Sequence, residues 1–170
     1  TTGKPKGAII SHKNLIANAQ ALTHVWNWSQ DDVLLHALPV FHVHGLFVGL
    51  NLPLVNGSSI IYLDKFSSQE VVNTLPKSTV FMGVPTYYVR MLSERTLTKD
   101  SCRKIRVFIS GSAPLLEQTS LDFKKKTGHE IVERYGMTET GMNTSNPLQG
   151  LRKPGSVGLP IKGVQIRTRN

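Results

Sequence analysis

The chain has 170 residues, of which 39% are hydrophobic and 18% are charged. This composition is typical of a folded domain with a buried core, and it argues against intrinsic disorder. The formal net charge of +9 favours anionic partners, and apolar runs such as 33–38 are far shorter than the roughly 20 residues that cross a bilayer. We therefore expect a protein without a membrane span.

Cysteine usage and the basic residues limit the possible partners. Cys102 is the single cysteine, so it cannot form an internal disulfide, and no Cys/His grouping surrounds it. This favours a reducing compartment, with the cytoplasm expected first and the mitochondrial matrix as the alternative. Basic residues gather at 124–126 and 152–169 without interleaved aromatics or a recognition motif, so we expect solvated surface and no nucleic-acid partner. The oligomeric state stays open.

Helical and strand patterns alternate in the first half of the chain. Ser11 is a suitable N-cap for a helix over 11–26, where apolar residues recur at helical spacing. The apolar run 33–38 predicts a buried strand, and the glycine-interrupted segment 41–54 predicts a helix that begins after Gly45. Asn56 and Gly57 predict a turn before a strand at 58–63, and 69–75 predicts a short helix.

The alternation continues in the second half. Strands are predicted at 80–84, 105–109 and 130–134, and helices at 87–93 and 115–126, the second ending near Gly128. The pattern indicates an α/β fold in one domain, with a layered, largely parallel sheet and flanking helices. Ligands of such sheets bind beyond the carboxyl ends of the strands, so we expect the clusters 41–45, 110–113 and 135–139 to form a site.

The first seven residues, TTGKPKG, are suited to binding a triphosphate. Glycines let backbone N–H groups approach an anion, the hydroxyls donate hydrogen bonds, and Lys4 and Lys6 supply positive charge. The spacing differs from that of a Walker loop. A basic surface turn is the alternative interpretation.

The segment YGMTE, residues 135–139, combines three groups that suit a nucleotide. The Tyr135 ring can stack on a purine, the Thr138 hydroxyl can meet a phosphate, and the Glu139 carboxylate can hold Mg²⁺, which prefers oxygen ligands. A polar turn between a strand and a helix, with Glu139 in solvent, is the alternative. The spacing of His42 and His44 also permits a metal site, but no third ligand is placed to join them.

Five motifs occur in a characteristic order along essentially the whole chain: TTGKPKG, LPVFHVHG (38–45), SGSAP (110–114), ERYGMTE (133–139) and GSVGLP (155–160). Together they resemble the core motifs of the acyl-adenylate-forming superfamily, which contains acyl-CoA synthetases, adenylation domains of peptide synthetases and luciferases. Within that superfamily, FHVHG and the run ERYGMTETGMNTSNP are most similar to those of the malonyl-CoA synthetases.

The resemblance implies an enzyme that joins malonate to coenzyme A through malonyl-adenylate, with ATP, Mg²⁺, coenzyme A and a small carboxylic acid as its ligands. It also implies that residues 1–170 are a fragment of the N-terminal ATP- and acyl-binding domain, inactive without the absent small C-terminal domain. Alternatives are a short- or medium-chain acyl-CoA synthetase, another adenylate-forming ligase, a non-catalytic nucleotide-binding module, or a basic nucleic-acid-binding domain.

The resemblance also implies roles for individual residues. Catalytic roles fall to Thr138, Glu139 and His42, and the metal to Glu139. Nucleotide contacts fall to Thr1, Thr2, Gly3, Lys4, Lys6, Gly111, Ser112, Ala113, Glu133, Arg134, Tyr135, Gly136 and Met137. The acid is expected to meet His44, Arg90 and Ser112. A guanidinium binds a carboxylate through two hydrogen bonds, which suits Arg90 to the distal carboxylate. The alternative for Arg90 is an ordinary surface arginine.

Overall fold

A seven-stranded mixed sheet is the centre of the computed structural model, which describes residue 4 and residues 6–169. The spatial order is β2-β1-β3-β4-β5-β6-β7; the first five strands are parallel, and β6 and β7 are antiparallel to their neighbours. The α/β class with a largely parallel sheet and flanking helices is therefore confirmed. The strands are β1 (Val33–His36), β2 (Ser59–Tyr62), β3 (Val80–Gly83), β4 (Val107–Ser110), β5 (Ile131–Met137), β6 (Gly141–Ser145) and β7 (Leu159–Pro160).

Helices flank the sheet close to where the sequence predicts them. Ser11 caps the first helix, because its hydroxyl accepts a hydrogen bond from the Asn14 amide and the Asn14 side chain accepts one from the Ser11 amide. Within the described residues, no helix has the length and apolarity that crossing a membrane requires. The α-helices are α1 (His12–Val25), α2 (Asn51–Asn56), α3 (Ser68–Thr74), α4 (Pro85–Leu92) and α5 (Glu117–Thr127); a π-helix covers His44–Leu50 and a 3₁₀ helix Leu75–Lys77.

Two segments differ from the sequence-based prediction. The helix expected after Gly45 begins at His44, and its first part is a π-helix that continues into α2. The segment 135–139 is not a strand-to-helix turn, because β5 runs to Met137 and the chain then reverses into β6. Strands β6 and β7 were not predicted, since the sequence of β6, GMNTS, and the two residues of β7 carry no apolar alternation.

The core lies on both faces of the sheet. Each face of the sheet carries one hydrophobic cluster, and neighbouring residues of a strand belong to different clusters. Leu34 packs in the first cluster with α1, and Leu35 packs in the second with α3 and α4. Val107 and Phe108 of β4 divide in the same way. Burial on both faces explains why the parallel strands read as continuous apolar runs. Cys102 lies in the second cluster, where burial raises the pKa of its thiol to about 11 and makes it a structural residue.

An ion pair between the buried Asp32 and the more exposed Arg106 ties the amino ends of three strands together. The Asp32 carboxylate accepts hydrogen bonds from Nε and Nη2 of Arg106, both at 2.6 Å, and one from the Thr79 hydroxyl at 2.8 Å. Burial raises the pKa of Asp32, but the hydrogen bonds from Arg106, Ser29 and Thr79 outweigh it and hold the pKa below its usual value. This pair lies at the edge of the sheet opposite the loops that follow the strands.

Replacing Asp32 with Asn is expected to lower the free energy of unfolding by about 2 kcal/mol, because the substitution removes charge-assisted hydrogen bonds to Arg106 at a buried position. Urea unfolding followed by tryptophan fluorescence measures this change. The neighbouring exposed Asp31 provides the control, and its Asn variant is expected to stay within about 0.5 kcal/mol of the parent. Equal effects of the two substitutions would contradict the structural role of the pair.

Candidate active site

The loop after β1 and the start of the π-helix place two histidines at the carboxyl edge of the sheet. His42 is exposed in the loop, whereas His44, the first residue of the π-helix, is buried. A methyl group at Gly45 would collide with the carbonyl oxygen of Pro39. The glycine of FHVHG therefore allows the helix to close against the loop, and this packing fixes His44.

The turn after β4 brings a hydroxyl to the buried histidine. Ser112 has a φ of +71°, a left-handed conformation that non-glycine residues rarely adopt. Its Oγ lies 3.2 Å from Nδ1 of His44. Strained backbone of this kind often occurs at functional sites, where the surrounding structure holds it in place. Here the strain directs the Ser112 hydroxyl toward His44.

The fourth residue of β5, Arg134, lies buried beside this pair. Only 3% of its surface is exposed, and a methyl group at Gly111 would collide with its guanidinium. Among the described residues, Nε and Nη2 of Arg134 have no hydrogen-bond partner. Burial lowers the pKa of Arg134 to about 10, so the group stays charged near pH 7. A buried unpaired cation is costly, and an anionic ligand would offset that cost.

His44 is a neutral imidazole in this environment. Burial lowers its pKa well below the usual value, and the charges of Arg134 and His36 lower it further. A neutral ring can share a hydrogen bond with Ser112 without repelling the guanidinium. The three side chains thus combine one cation, one hydroxyl and one neutral imidazole.

The three side chains line a cavity of about 400 Å³, here called the central cavity. Its walls come from the residues that follow β1, β3 and β4, from the end of β5 and from β6. The carboxyl edge of the parallel strands therefore forms the cavity, as the sequence predicts. The lining residues are Leu38, Pro39, His42, Val43, His44, Gly45, Val84, Ser112, Arg134, Gly136, Met137, Thr138 and Met142.

A second cavity of about 370 Å³, the outer cavity, shares Ser112, Arg134 and Gly136 with the first. Burial raises the pKa of Glu133, while its hydrogen bond from the Gly155 amide, 2.9 Å long, opposes that rise. This contact joins the GSVGLP loop to β5. The outer cavity is lined by Ser110, Ser112, Ala113, Pro114, Glu133, Arg134, Tyr135, Gly136, Gly155 and Val157.

A third cavity of about 300 Å³, the helix cavity, lies between α1, the π-helix and the turn that joins β5 to β6. It shares Val43 and Thr138 with the central cavity, so the two are neighbours. Glu139 lines it from the exposed turn. Its lining residues are Ile10, Asn14, Leu15, Asn18, Val43, Phe47, Thr138, Glu139, Thr140 and Gly141.

The structure brings together most of the described residues that the sequence assigned to a site. Gly111 lies beneath Arg134, but Lys4, Lys6 and Arg90 are exposed and line none of the three cavities. The Arg90 guanidinium lies 5.0 Å from the centre of the Phe66 ring, so its role toward the acid stays a prediction. The expected phosphate contacts Thr1, Thr2 and Gly3 lie outside the described residues.

Sequence reasoning missed two features of this region. It assigned Arg134 to the nucleotide alone, although the residue also lines the central cavity next to His44 and Ser112. It also overlooked Asn18 on α1, which faces the β5–β6 turn across the helix cavity. The alternation of side chains along β5 could have suggested that Arg134 lines the central cavity, but no local pattern marks the position of Asn18.

Known proteins resemble this chain along nearly its whole length. The mitochondrial malonate–CoA ligase ACSF3 of Mus musculus is 43% identical over 98% of this chain and 31% of its own length. ATP-bound MatB of Rhodopseudomonas palustris has a TM-score of 0.93 and 51% identity, over 95% of this chain and 32% of that one. A malonyl-CoA ligase with bound methylmalonyl-CoA and AMP has a TM-score of 0.90 and 40% identity, over 96% of this chain and 36% of that one.

This chain therefore spans about a third of the length of these relatives. The fold matches the corresponding part of the large domain of adenylate-forming enzymes. A family model described as AMP-binding enzyme matches residues 1–170, which is the full sequence. The chain belongs to the AMP-binding enzyme family.

Proposed function

We propose that the protein containing this chain is an ATP-dependent malonate–CoA ligase. The observation that carries the proposal is the buried guanidinium of Arg134, which lines the central cavity beside His44 and Ser112 and whose Nε and Nη2 have no hydrogen-bond partner within the part of the chain that the structure describes. A monocarboxylic acid has no second charge to place against this cation. Malonate has one, and the distal carboxylate can accept two hydrogen bonds from Arg134 and a third from Ser112. The names of the malonate–CoA ligase relatives support this choice of acid.

The reaction would proceed in two displacements. An oxygen of the other malonate carboxylate attacks the α-phosphorus of ATP, and the bond to pyrophosphate breaks. The sulfur of coenzyme A then attacks the acyl carbon, AMP leaves, and the thiol proton passes to solvent. The first displacement brings anions together, so the contribution of the protein is to position the two substrates and to offset their repulsion.

The residues of the three cavities divide these tasks. The outer cavity would receive the adenine, with the Tyr135 ring and the raised-pKa carboxyl of Glu133 on its walls. Thr138 stands between the central and helix cavities, where its hydroxyl can meet the α-phosphate. Lys4 and Lys6 would meet the outer phosphates. The exposed His42 would lie at the acyl-adenylate.

The carboxylate of Glu139 fits a Mg²⁺ site of the kind that substrate phosphates complete. The described residues contain no group of three or more His, Cys, Asp or Glu side chains that could hold a metal. Mg²⁺ commonly binds through one or two carboxylates and the phosphates of its nucleotide, so a single exposed carboxylate beside Thr138 is sufficient. When bound, the ion would neutralise part of the triphosphate charge.

Pyrophosphate release by the purified full-length protein tests the proposal. With ATP, Mg²⁺ and coenzyme A present, malonate is expected to give a kcat/KM at least about 100-fold above that of acetate, since truncating one partner of a buried charge pair is this costly. Equal rates with acetate or longer acids would favour a short- or medium-chain acyl-CoA synthetase. ATP binding without pyrophosphate release would favour a nucleotide-binding module, and salt-sensitive RNA binding a nucleic-acid-binding domain.

The compartment is part of the same proposal. The mammalian relatives carry a mitochondrial designation, which favours the mitochondrial matrix over the cytoplasm for this protein. Fractionation of cells that produce the full-length protein distinguishes the two compartments.

A further inference from the structure

Among residues 6–169, no strand pairs with the outer side of β6 at its amino end. β7 pairs with β6 only at Thr144 and Ser145, while β5 covers the other side of the strand. In an antiparallel strand, the N–H and C=O groups of one residue point to the same side. The two backbone groups of Met142 that point away from β5 therefore need a partner from elsewhere in the fold.

Asn18 of α1 supplies that partner. Its Oδ1 accepts a hydrogen bond of 3.1 Å from the Met142 amide, and its Nδ2 donates one of 2.9 Å to the Met142 carbonyl. One carboxamide thus takes the place of a neighbouring strand. Gly141 has a φ of +70°, and a methyl group there would lie 2.9 Å from Cγ and Oδ1 of Asn18. The close approach depends on this glycine.

This contact connects the helix that follows the lysine-bearing N-terminal segment to the β5–β6 turn. The turn carries Thr138 and Glu139, and Asn18 lines the helix cavity together with them. Residues 138–140 form a short exposed turn, so its orientation depends on what holds the two strands at its ends. β5 and β6 pair with each other directly beside the turn, and Asn18 holds β6 from its other side.

We propose that Asn18 is a positioning residue whose carboxamide sets the orientation of Thr138 and Glu139 toward the phosphates of ATP. The inference rests on the proposed ligase function for the identity of the ligand, but the contact itself does not. A residue with a merely structural role would lower stability and leave nucleotide binding unchanged. A positioning residue changes the binding of ATP with Mg²⁺ and leaves the affinity for the acid unchanged.

Asn56 provides a matched control variant. Its Nδ2 also makes two hydrogen bonds, to the Thr23 hydroxyl at 2.8 Å and to the Leu52 carbonyl at 2.7 Å. The first of these bonds joins α2 to Thr23 near the carboxyl end of α1, away from the β5–β6 turn, and the second lies within α2. Asn56→Ala and Asn18→Ala therefore each remove two carboxamide hydrogen bonds and a link between α1 and a neighbouring element, but only the second affects the β5–β6 turn.

The test uses the full-length protein and three measurements. In Asn18→Ala, we expect the KM for ATP with Mg²⁺ and the calorimetric Kd for a non-hydrolysable ATP analogue with Mg²⁺ each to rise at least about tenfold, because small misplacements at a reacting centre are costly. The KM for malonate is expected to change less than about twofold, and amide exchange at Met142 is expected to become faster. In Asn56→Ala, all of these values are expected to stay near those of the parent.

Asn18→Asp is the second variant, and it keeps the acceptor for the Met142 amide but loses the donor to the carbonyl. We expect its Kd for the ATP analogue to lie between the values of the parent and of the Ala variant. The inference is overturned if either Asn18 variant binds the analogue like the parent, or if Asn56→Ala weakens binding equally. If the parent releases no pyrophosphate with malonate, the proposed function fails, whereas the calorimetric comparison still tests Asn18.

Discussion

Replacing Arg134 with Met is expected to abolish the preference for malonate while leaving the protein at least as stable as the parent. The guanidinium is buried without a partner among the described residues, so removing its charge removes a desolvation cost. We expect the free energy of unfolding to rise by about 1 kcal/mol or more. The kcat/KM for malonate is expected to fall about 100- to 1,000-fold, because the distal carboxylate would then be buried unpaired.

Steady-state kinetics with malonate and acetate, together with urea unfolding, measure both effects. Acetate has no distal carboxylate, so its kcat/KM is expected to change less than about threefold. Arg95→Met, at an exposed position, is the control and should change neither quantity. If Arg134→Met unfolds more easily than the parent and still prefers malonate, Arg134 stabilises the fold and does not bind the acid.

The same kinetics decide between the two arginines assigned to the acid. Arg90 lies over the Phe66 ring, which in turn stacks on Tyr87 with ring centres 3.7 Å apart. Arg90→Ala is expected to keep the preference for malonate if Arg134 holds the distal carboxylate alone. Loss of the preference in Arg90→Ala, with retention in Arg134→Met, would return the role to Arg90.

Gly45→Ala is expected to impair both stability and catalysis. The added methyl group would collide with the carbonyl oxygen of Pro39, and because that oxygen belongs to the backbone and the methyl group is fixed to the helix backbone, neither can move cheaply. We expect the free energy of unfolding to fall by about 1–3 kcal/mol, as for other overpacked sites. His44 precedes Gly45 and must move with it, so the kcat/KM for malonate should fall about 10- to 100-fold.

Gly57→Asn is the control for this substitution. Gly57 caps the carboxyl end of α2, which continues the π-helix that begins at His44. Its φ is +65°, which Asn tolerates, and no atom lies within 4 Å of a Cβ added there. Gly57→Asn is expected to lower the free energy of unfolding by less than about 1 kcal/mol and to leave the kcat/KM for malonate unchanged. A Gly45→Ala variant that behaves like Gly57→Asn would mean that the π-helix and the preceding loop do not constrain each other.

Local patterns account for how well the parallel part of the fold was predicted. Burial on both faces makes β1, β3 and β4 continuous apolar runs, and Ser11 and Gly128 mark helix ends through groups close to them in the chain. These signals act over a few residues, so they can be recognised without the rest of the fold. The three clusters that directly follow predicted strands similarly predicted which loops meet at the carboxyl edge.

Other features depend on residues that are distant in the chain. β6 is short and polar, and it is a strand because β5 pairs with it on one side and Asn18, 124 residues from Met142, bonds it on the other. Gly45 and Gly49 lower helix propensity, yet the π-helix forms because both positions let backbone and side chains from the β1 region pack closely.

The amino-acid sequence alone is sufficient to predict the α/β architecture, the cavity at the carboxyl edge and the family, because each follows from local periodicity or from short motifs in a fixed order. The surroundings of Arg134, Asn18 and Arg90 are not contained in any local pattern. They follow from how the strands and helices pack, since the burial of a charge and the approach of an amide to a distant backbone exist only once the chain has folded.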